Sequence, residues 1–386
     1  MRITIAMGFF LPVPPLAGGA TEKTWHGLAR EFAVRGHEVT VISRRWPDLP
    51  PVETSHGVRH LRLRGHAHTS SRPRNLWLDL LWSLRVARAL PPADVTIANC
   101  VALPVWLGWL RGPAGRLVVM PGRIPKGQFR LYRRLDRVLA VSSVVRDAVI
   151  AENPSLGPRI RVFGYPIDWT GLAGSPRTTT VGDPVTIGYV GRLHREKGLE
   201  LLVAAAAQLA ARKDLPAWRL LLCGPSDVAR GGSGPAFAAE LDRQLGAALP
   251  PGRFRRLDPE FSEKDLAAIY RQIDVFCYPS LAVNGETFGV AVAEAMAAGA
   301  VPVVSSLKSF ADFVHAGQNG IVFDQAAPNP AGRLADALAG LIGDPALRVR
   351  LAASAQVSTR SYDFPCLAER LLEDFSTLLP PADRQT

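Results

Sequence analysis

The chain is 386 residues long with 47% hydrophobic and 20% charged residues. It has no apolar run near the roughly 20 residues that a membrane-spanning helix needs, and its length favours two cores of ordinary domain size. The net charge of +11 is one-sided: residues 1–175 hold 24 Lys and Arg against 11 Asp and Glu, and residues 176–386 hold 21 against 23.

In chain order, residues 2–7 read as a buried strand, and residues 21–35 as a helix with Trp25, Leu28, Ala29 and Phe32 on one face. Gly36 closes that helix before a strand over 38–43, completing one βαβ unit. Short branched runs at 95–98, 117–120, 138–141 and 160–163 extend the same pattern, and the first domain is expected to end near residue 170. The stretch 168–184, with Gly171, Gly174, Pro176 and three consecutive threonines, has linker composition. The pattern then restarts with strands at 185–190, 219–223, 275–279 and 300–304 and helices at 200–211 and 290–298. The expected fold class is therefore α/β with two Rossmann-like domains, 1–170 and 180–362. A closing helix at about 364–379 is a candidate to pack back on the first domain, and the tail from Pro380 to Thr386 is expected to be disordered. The apolar run Ile3 to Leu11 ends in Pro12-Val13-Pro14-Pro15 without a small-residue cleavage site, so a signal peptide is not expected. Cys100, Cys223, Cys277 and Cys366 form no C-x-x-C pair, which disfavours zinc or a disulfide framework and fits a cytoplasmic setting.

The most informative segment runs from Pro279 to Gly299. A strand ends at Pro279, a loop containing Glu286 and Gly289 opens a helix, and Gly299 terminates it. The amides of Phe288, Gly289 and Val290 at the start of that helix would suit the oxygens of a diphosphate, and Gly289 would let the anion approach the backbone. Glu286 and Glu294, eight residues apart, are placed to share one side of the helix and accept hydrogen bonds from hydroxyls; Glu294 has solvent exposure as its alternative. A second constellation, Gly191-Arg192-Leu193-His194-Arg195-Glu196-Lys197-Gly198, follows the strand 185–190. Arg192 and Lys197 offer a planar fork and a point charge for phosphate, and gain weight from the Glu286 loop in the same half. A third feature, Gly18-Gly19 between the first strand and helix, lacks the G-x-G-x-x-G spacing of a nicotinamide site but would admit a donor phosphate or sugar to the backbone.

Taken together, Gly18-Gly19, Gly191-Arg192, Lys197-Gly198 and the E-x7-E element at Glu286 and Glu294 resemble a retaining glycosyltransferase of family 4 with the GT-B architecture. That resemblance implies two Rossmann-like domains whose parallel sheets face an interdomain cleft, and a nucleotide-sugar donor used without metal or other cofactor. It further implies that Arg192 and Lys197 neutralise the leaving diphosphate, that Glu294 holds the ribose and that Glu286 contacts the transferred sugar. Two positions depart from the family pattern: Met120-Pro121-Gly122-Arg123 and Asn99 stand where relatives commonly carry histidines, so sugar identity does not transfer. Gly224 and the segment 256–259 are expected near the base.

For the acceptor, the basic first half suggests an anionic partner: a membrane surface at the inner leaflet, a glycan or lipid-linked phosphate, or nucleic acid. Trp77, Trp82, Trp106 and Trp109 beside Arg72, Arg74, Arg85, Arg88 and Arg111 suit a membrane interface or the core of two helices. No nucleic-acid reading motif is present, so nucleic acid is not expected as partner. The basic run 123–134 has an acceptor phosphate or plain solvation as its readings. His66 and His68 lack a carboxylate partner for metal, and Ser142-Ser143 lacks the His and Asp of a hydrolase. A nucleotide-sugar epimerase or hydrolase is the nearest alternative activity.

Overall fold

The computed structural model describes residues 1–110, 113–173 and 183–380. It divides into two units, Met1–Pro166 with the segment from Phe364 onward, and Ile167–Asp363.

The first unit holds an eight-stranded sheet in the order β3-β4-β2-β1-β5-β6-β7-β8, formed by β1 (Arg2–Ala6), β2 (Glu38–Arg44), β3 (Val52–Ser55), β4 (Val58–Leu63), β5 (Val95–Ala98), β6 (Arg116–Val119), β7 (Arg137–Ala140) and β8 (Ile160–Val162). Every pairing is parallel except the edge hairpin β3–β4, which the sequence reading missed. That hairpin alternates instead of running apolar, and its inner position is filled by Arg62, which is buried and bonded to Glu53 Oε1 (2.9 Å) and the Pro50 carbonyl (2.7 Å). Its helices are α1 (Ala20–Val34), α2 (Arg72–Ala89), α3 (Leu103–Trp109) and α4 (Ser143–Glu152). Ser71 and Ser142 cap α2 and α4 by accepting the amides of Arg74 and Val145, which gives Ser142 a structural duty.

The second unit holds a six-stranded parallel sheet, β11-β10-β9-β12-β13-β14, from β9 (Val185–Val190), β10 (Trp218–Cys223), β11 (Phe254–Leu257), β12 (Val275–Tyr278), β13 (Val301–Ser305) and β14 (Ile321–Phe323). Its helices are α5 (Trp169–Leu172), α6 (Leu199–Ala210), α7 (Pro235–Ala248), α8 (Glu263–Tyr270), α9 (Val290–Ala297), α10 (Pro330–Gly343) and α11 (Pro345–Thr359). Such near-continuous apolar strands are what a parallel sheet covered on both faces requires. The final helix, α12 (Phe364–Ser376), lies in the first unit. There Phe375 meets Phe32 of α1 edge-on at 6.2 Å, and Asp374 pairs with Arg137 at 2.8 Å.

The division between the units falls at Pro166, close to the residue 170 expected from the sequence. Ile167 bridges to Asp363, and the amide and indole of Trp169 bond Asp363 and the Gln356 carbonyl, which binds this stretch to the second unit. Gly174, Pro176 and the threonines of the expected linker, together with Arg111 and residues 381–386 of the tail, lie outside the described residues.

Candidate active site

In the second unit the strand order reverses between β9 and β12, and ligands of open α/β sheets bind at the carboxyl ends of strands flanking such a point. The loops carrying Arg192–Gly198 and Pro279–Gly289 leave those two strands, so the sheet topology brings the two sequence constellations together.

Glycines set the floor of this region. Gly191 and Gly224, after β9 and β10, have φ of 154° and 147°, and a Cβ on Gly224 would run into the Gly191 carbonyl. Gly198, at φ 70°, leaves no room for a Cβ against the Pro279 carbonyl. The loops are then laced together: the Leu281 amide donates to the Glu196 carbonyl at 2.8 Å.

Within this frame Lys197 and Glu286 form a buried ion pair, with Nζ 2.7 Å from Oε2 and side chains 5% and 8% exposed. The ammonium also lies over the Tyr278 ring at 5.5 Å. Ser280, fully buried, donates its hydroxyl to the same Oε2 at 2.9 Å and accepts the Ala282 amide at 3.4 Å. Ser305 in turn donates to the Ser280 carbonyl at 2.5 Å. Glu286 Oε2 is thus fixed by two donors, while its other oxygen has no bonded partner among the described residues. Burial raises the phenol pKa of Tyr189, Tyr270 and Tyr278 well above the ordinary value, and Tyr189 donates its hydroxyl to the Arg192 carbonyl at 2.8 Å.

Arg192 is exposed and bonds Glu196 of its own loop at 3.2 Å and the Gly231 carbonyl of the loop after β10 at 3.0 Å. Glu294, half-buried on α9, accepts the Tyr270 hydroxyl at 2.9 Å. The two glutamates therefore have different partners: Glu286 is held by the lysine and serine, Glu294 by a tyrosine from α8. Gly289 caps α9 at φ 94°, its carbonyl accepts the Val292 and Ala293 amides at 2.9 and 3.2 Å, and the amides of Val290 and Ala291 precede the first intrahelical bond. The Phe288 ring is core, 1% exposed and stacked on Phe313 at 4.8 Å, so only its backbone faces the question of ligand. Val290 opens the helix proper. The helix ends as a Schellman turn, with Gly299 N bonded to the Met296 carbonyl and Ala300 N to that of Ala295.

Gly18 and Gly19 belong to the first unit, at φ 76° and 105°. Gly19 precedes α1, and a Cβ there would strike the buried Glu22 carboxylate, whose acidity burial weakens. Asn99 accepts the Trp25 indole N–H at 2.7 Å. Arg256, in the segment 256–259 expected near the base, pairs with Asp242 of α7 at 2.8 Å. Among the described residues no His, Cys, Asp and Glu cluster is arranged to hold a metal. Sequence reasoning assigned no role to Ser280, Tyr270 or Tyr278. Their signal was position: Tyr278 and Ser280 flank the proline at the end of β12, where a small hydroxyl and a ring face the site.

Residues 175–357 match the family model for glycosyl transferases group 1. The chain is 30% identical to the phosphatidyl-myo-inositol mannosyltransferase of Mycobacterium tuberculosis H37Rv, over 98% of this chain and 97% of that protein. It is 27% identical to a GDP-mannose-dependent alpha-mannosyltransferase of M. tuberculosis CDC 1551 over the same shares, 98% and 97%. A D-inositol 3-phosphate glycosyltransferase of Corynebacterium efficiens is 33% identical, but the match spans 49% of this chain and 42% of that protein. Among solved structures, sucrose-phosphate synthase from Thermosynechococcus elongatus superposes with a TM-score of 0.74 at 20% identity, covering 98% of this chain and 99% of that one. Anabaena Alr3699/HepE in complex with UDP superposes at 0.73 and 19% identity, covering 98% and 100%. The fold is that of these GT-B proteins, and the chain belongs to the group 1 glycosyltransferases.

Proposed function

We propose that this protein transfers a hexose, with retention of anomeric configuration, from a nucleoside diphosphate sugar to a hydroxyl of a glycan or lipid-linked acceptor in bacterial cell-surface assembly. GDP-mannose is the favoured donor, because the relatives matched over nearly their whole length carry mannosyl transfer in their names. The observation that carries the reading is the Lys197–Glu286–Ser280 cluster at the β9/β12 reversal, which joins a cation for a departing diphosphate to an oriented carboxylate for a sugar.

In this reading the acceptor oxygen attacks the anomeric carbon as the bond from that carbon to the phosphate oxygen breaks, and the acceptor proton passes to the departing phosphate. Negative charge grows on the diphosphate, where Lys197, Arg192 and the amides of Phe288, Gly289 and Val290 meet it. Gly191 and Gly224 let phosphate or sugar approach the backbone, Glu294 takes the ribose hydroxyls, and the open oxygen of Glu286 accepts a sugar hydroxyl. No metal is required, since protein cations carry the charge. Incubation of the protein with GDP-mannose and UDP-glucose in EDTA, with and without phosphoinositol lipid, tests this. Acceptor-dependent product with an axial anomeric bond supports it. Donor turnover that ignores the acceptor would instead indicate an epimerase or hydrolase.

A further inference from the structure

The loop after β9 places two cations by different means. His194 caps the single 3-10 turn Arg195–Lys197 by accepting the Glu196 amide at 3.2 Å. In so tight a turn successive side chains point about 120° apart. Lys197 turns inward to Glu286, whereas the Glu196 carboxylate is 34% exposed and turns back along the loop, its Oε1 3.2 Å from Arg192 Nη2. The other terminal nitrogen of that guanidinium, Nη1, donates to the Gly231 carbonyl at 3.0 Å. Glu196 and Gly231 therefore hold the two arms of the Arg192 fork, and the rest of its donors stay available to phosphate oxygens.

Stability does not account for this carboxylate, since an ion pair whose members are 45% and 34% exposed adds little to it. Besides Arg192, Oε1 has only His194 Nδ1 nearby, at 3.7 Å, and Oε2 has no bonded partner among the described residues. The backbone of Glu196 is fixed from the other side, where its carbonyl accepts the Leu281 amide at 2.8 Å. That bond joins it to the loop carrying Ser280 and Glu286, and a Cβ on Gly285 of this loop would stand 3.6 Å from Glu196 Oε2. A long, half-exposed arginine left untethered would spread over many rotamers and lose that freedom on meeting a ligand. A negative charge beside a diphosphate site also repels the ligand, so its presence needs an offsetting gain.

We infer that Glu196 is a positioning residue for sugar transfer. It does not touch the donor; it holds the Arg192 guanidinium ready for the diphosphate, while its backbone ties the Arg192 loop to the Glu286 loop. One short turn thereby sets both cations of the site, Lys197 directly and Arg192 through the carboxylate next to it. The inference rests on the donor reading proposed above and adds to it a residue that acts only through Arg192.

The test is a double-mutant cycle of Glu196→Ala and Arg192→Ala in the full chain, read in two ways. Calorimetry in EDTA gives the affinity for GDP and for UDP. Single-turnover assays with GDP-mannose and phosphatidylinositol give the transfer rate and keep slow variants measurable. We expect Glu196→Ala to weaken binding of the nucleotide that wild type takes by about fivefold, and to slow transfer at least about tenfold, at unchanged Tm. Both effects should vanish when Arg192 is already alanine. The sign is decisive, because a carboxylate that merely stood near the diphosphate would repel it, and its removal would tighten binding. Tighter or unchanged binding in Glu196→Ala overturns the inference. So does a loss that persists in the Arg192→Ala background, which would mean that Glu196 meets the substrate itself or supports the fold. If wild type binds neither nucleotide, the donor reading falls and takes the inference with it; if wild type binds and the cycle shows no coupling, only the inference falls.

Discussion

The Lys197 ammonium and the Glu286 carboxylate meet at 2.7 Å although 89 residues separate them in the chain. Removing either partner leaves an uncompensated buried charge, so Lys197→Met and Glu286→Leu should each destabilise the protein by about 3 kcal/mol. The double variant should regain most of that loss while remaining inactive. Denaturant unfolding of the three variants checks this; a loss in the double variant equal to the sum of the two single losses would show that the pair is not coupled.

Ser280 touches the same carboxylate oxygen from the opposite loop wall, at 2.9 Å. A hydrogen bond to a charged group is worth about 1.5–3 kcal/mol. If it serves to aim Glu286, Ser280→Ala lowers kcat at least about tenfold and leaves nucleotide affinity within about twofold. A purely structural serine would lower both in step with a fall in Tm.

Gly224 has φ 147° and no room for a Cβ against the Gly191 carbonyl. Gly224→Ala should therefore push the loops after β9 and β10 apart, costing about 1–3 kcal/mol and weakening nucleotide binding. Gly36→Ala is the control, since its φ of 81° carries backbone strain with nothing within 4 Å. Equal losses of nucleotide affinity in both would deny the Gly191–Gly224 contact a part in the site.

His60 is buried on β4, where burial and then the Arg62 charge lower its pKa to about 4 from 6.5, against an opposing pull from Glu53 and further repulsion from His26 and His56. The unfolded chain takes up this proton first. Stability is therefore complete above pH 6.5 and is lost as pH falls toward 4, by up to about 3 kcal/mol from this group. Unfolding of His60→Leu between those limits should show a shallower pH slope than wild type. An unchanged slope would contradict the assignment.

Much of this was legible in the sequence because parallel strands are apolar runs: β9 and β5 lie where their branched residues put them. The Gly289 start and Gly299 stop of α9 were equally readable, since few residues but glycine adopt those φ values. What escaped depended on partners distant in the chain. The β3–β4 hairpin hides Arg62, whose burial makes sense only beside Glu53 and the carbonyls of Pro50 and Val13. The four tryptophans divided by helix phase, Trp82 into the core and Trp77 out of it, which composition alone does not separate. Arg256 pairs with Asp242 of the preceding helix, a partner 14 residues away that its own segment does not reveal.

The most direct test of the central claim is calorimetric titration of GDP, UDP and ADP in EDTA into wild type and into Lys197→Met with Glu286→Leu, the pair that keeps the site's charge balanced. The account predicts selective micromolar binding of one diphosphate to wild type, unaffected by EDTA and at least about tenfold weaker in the double variant. Binding that is absent from wild type, or equally tight in the folded double variant, would contradict a donor diphosphate site at Lys197.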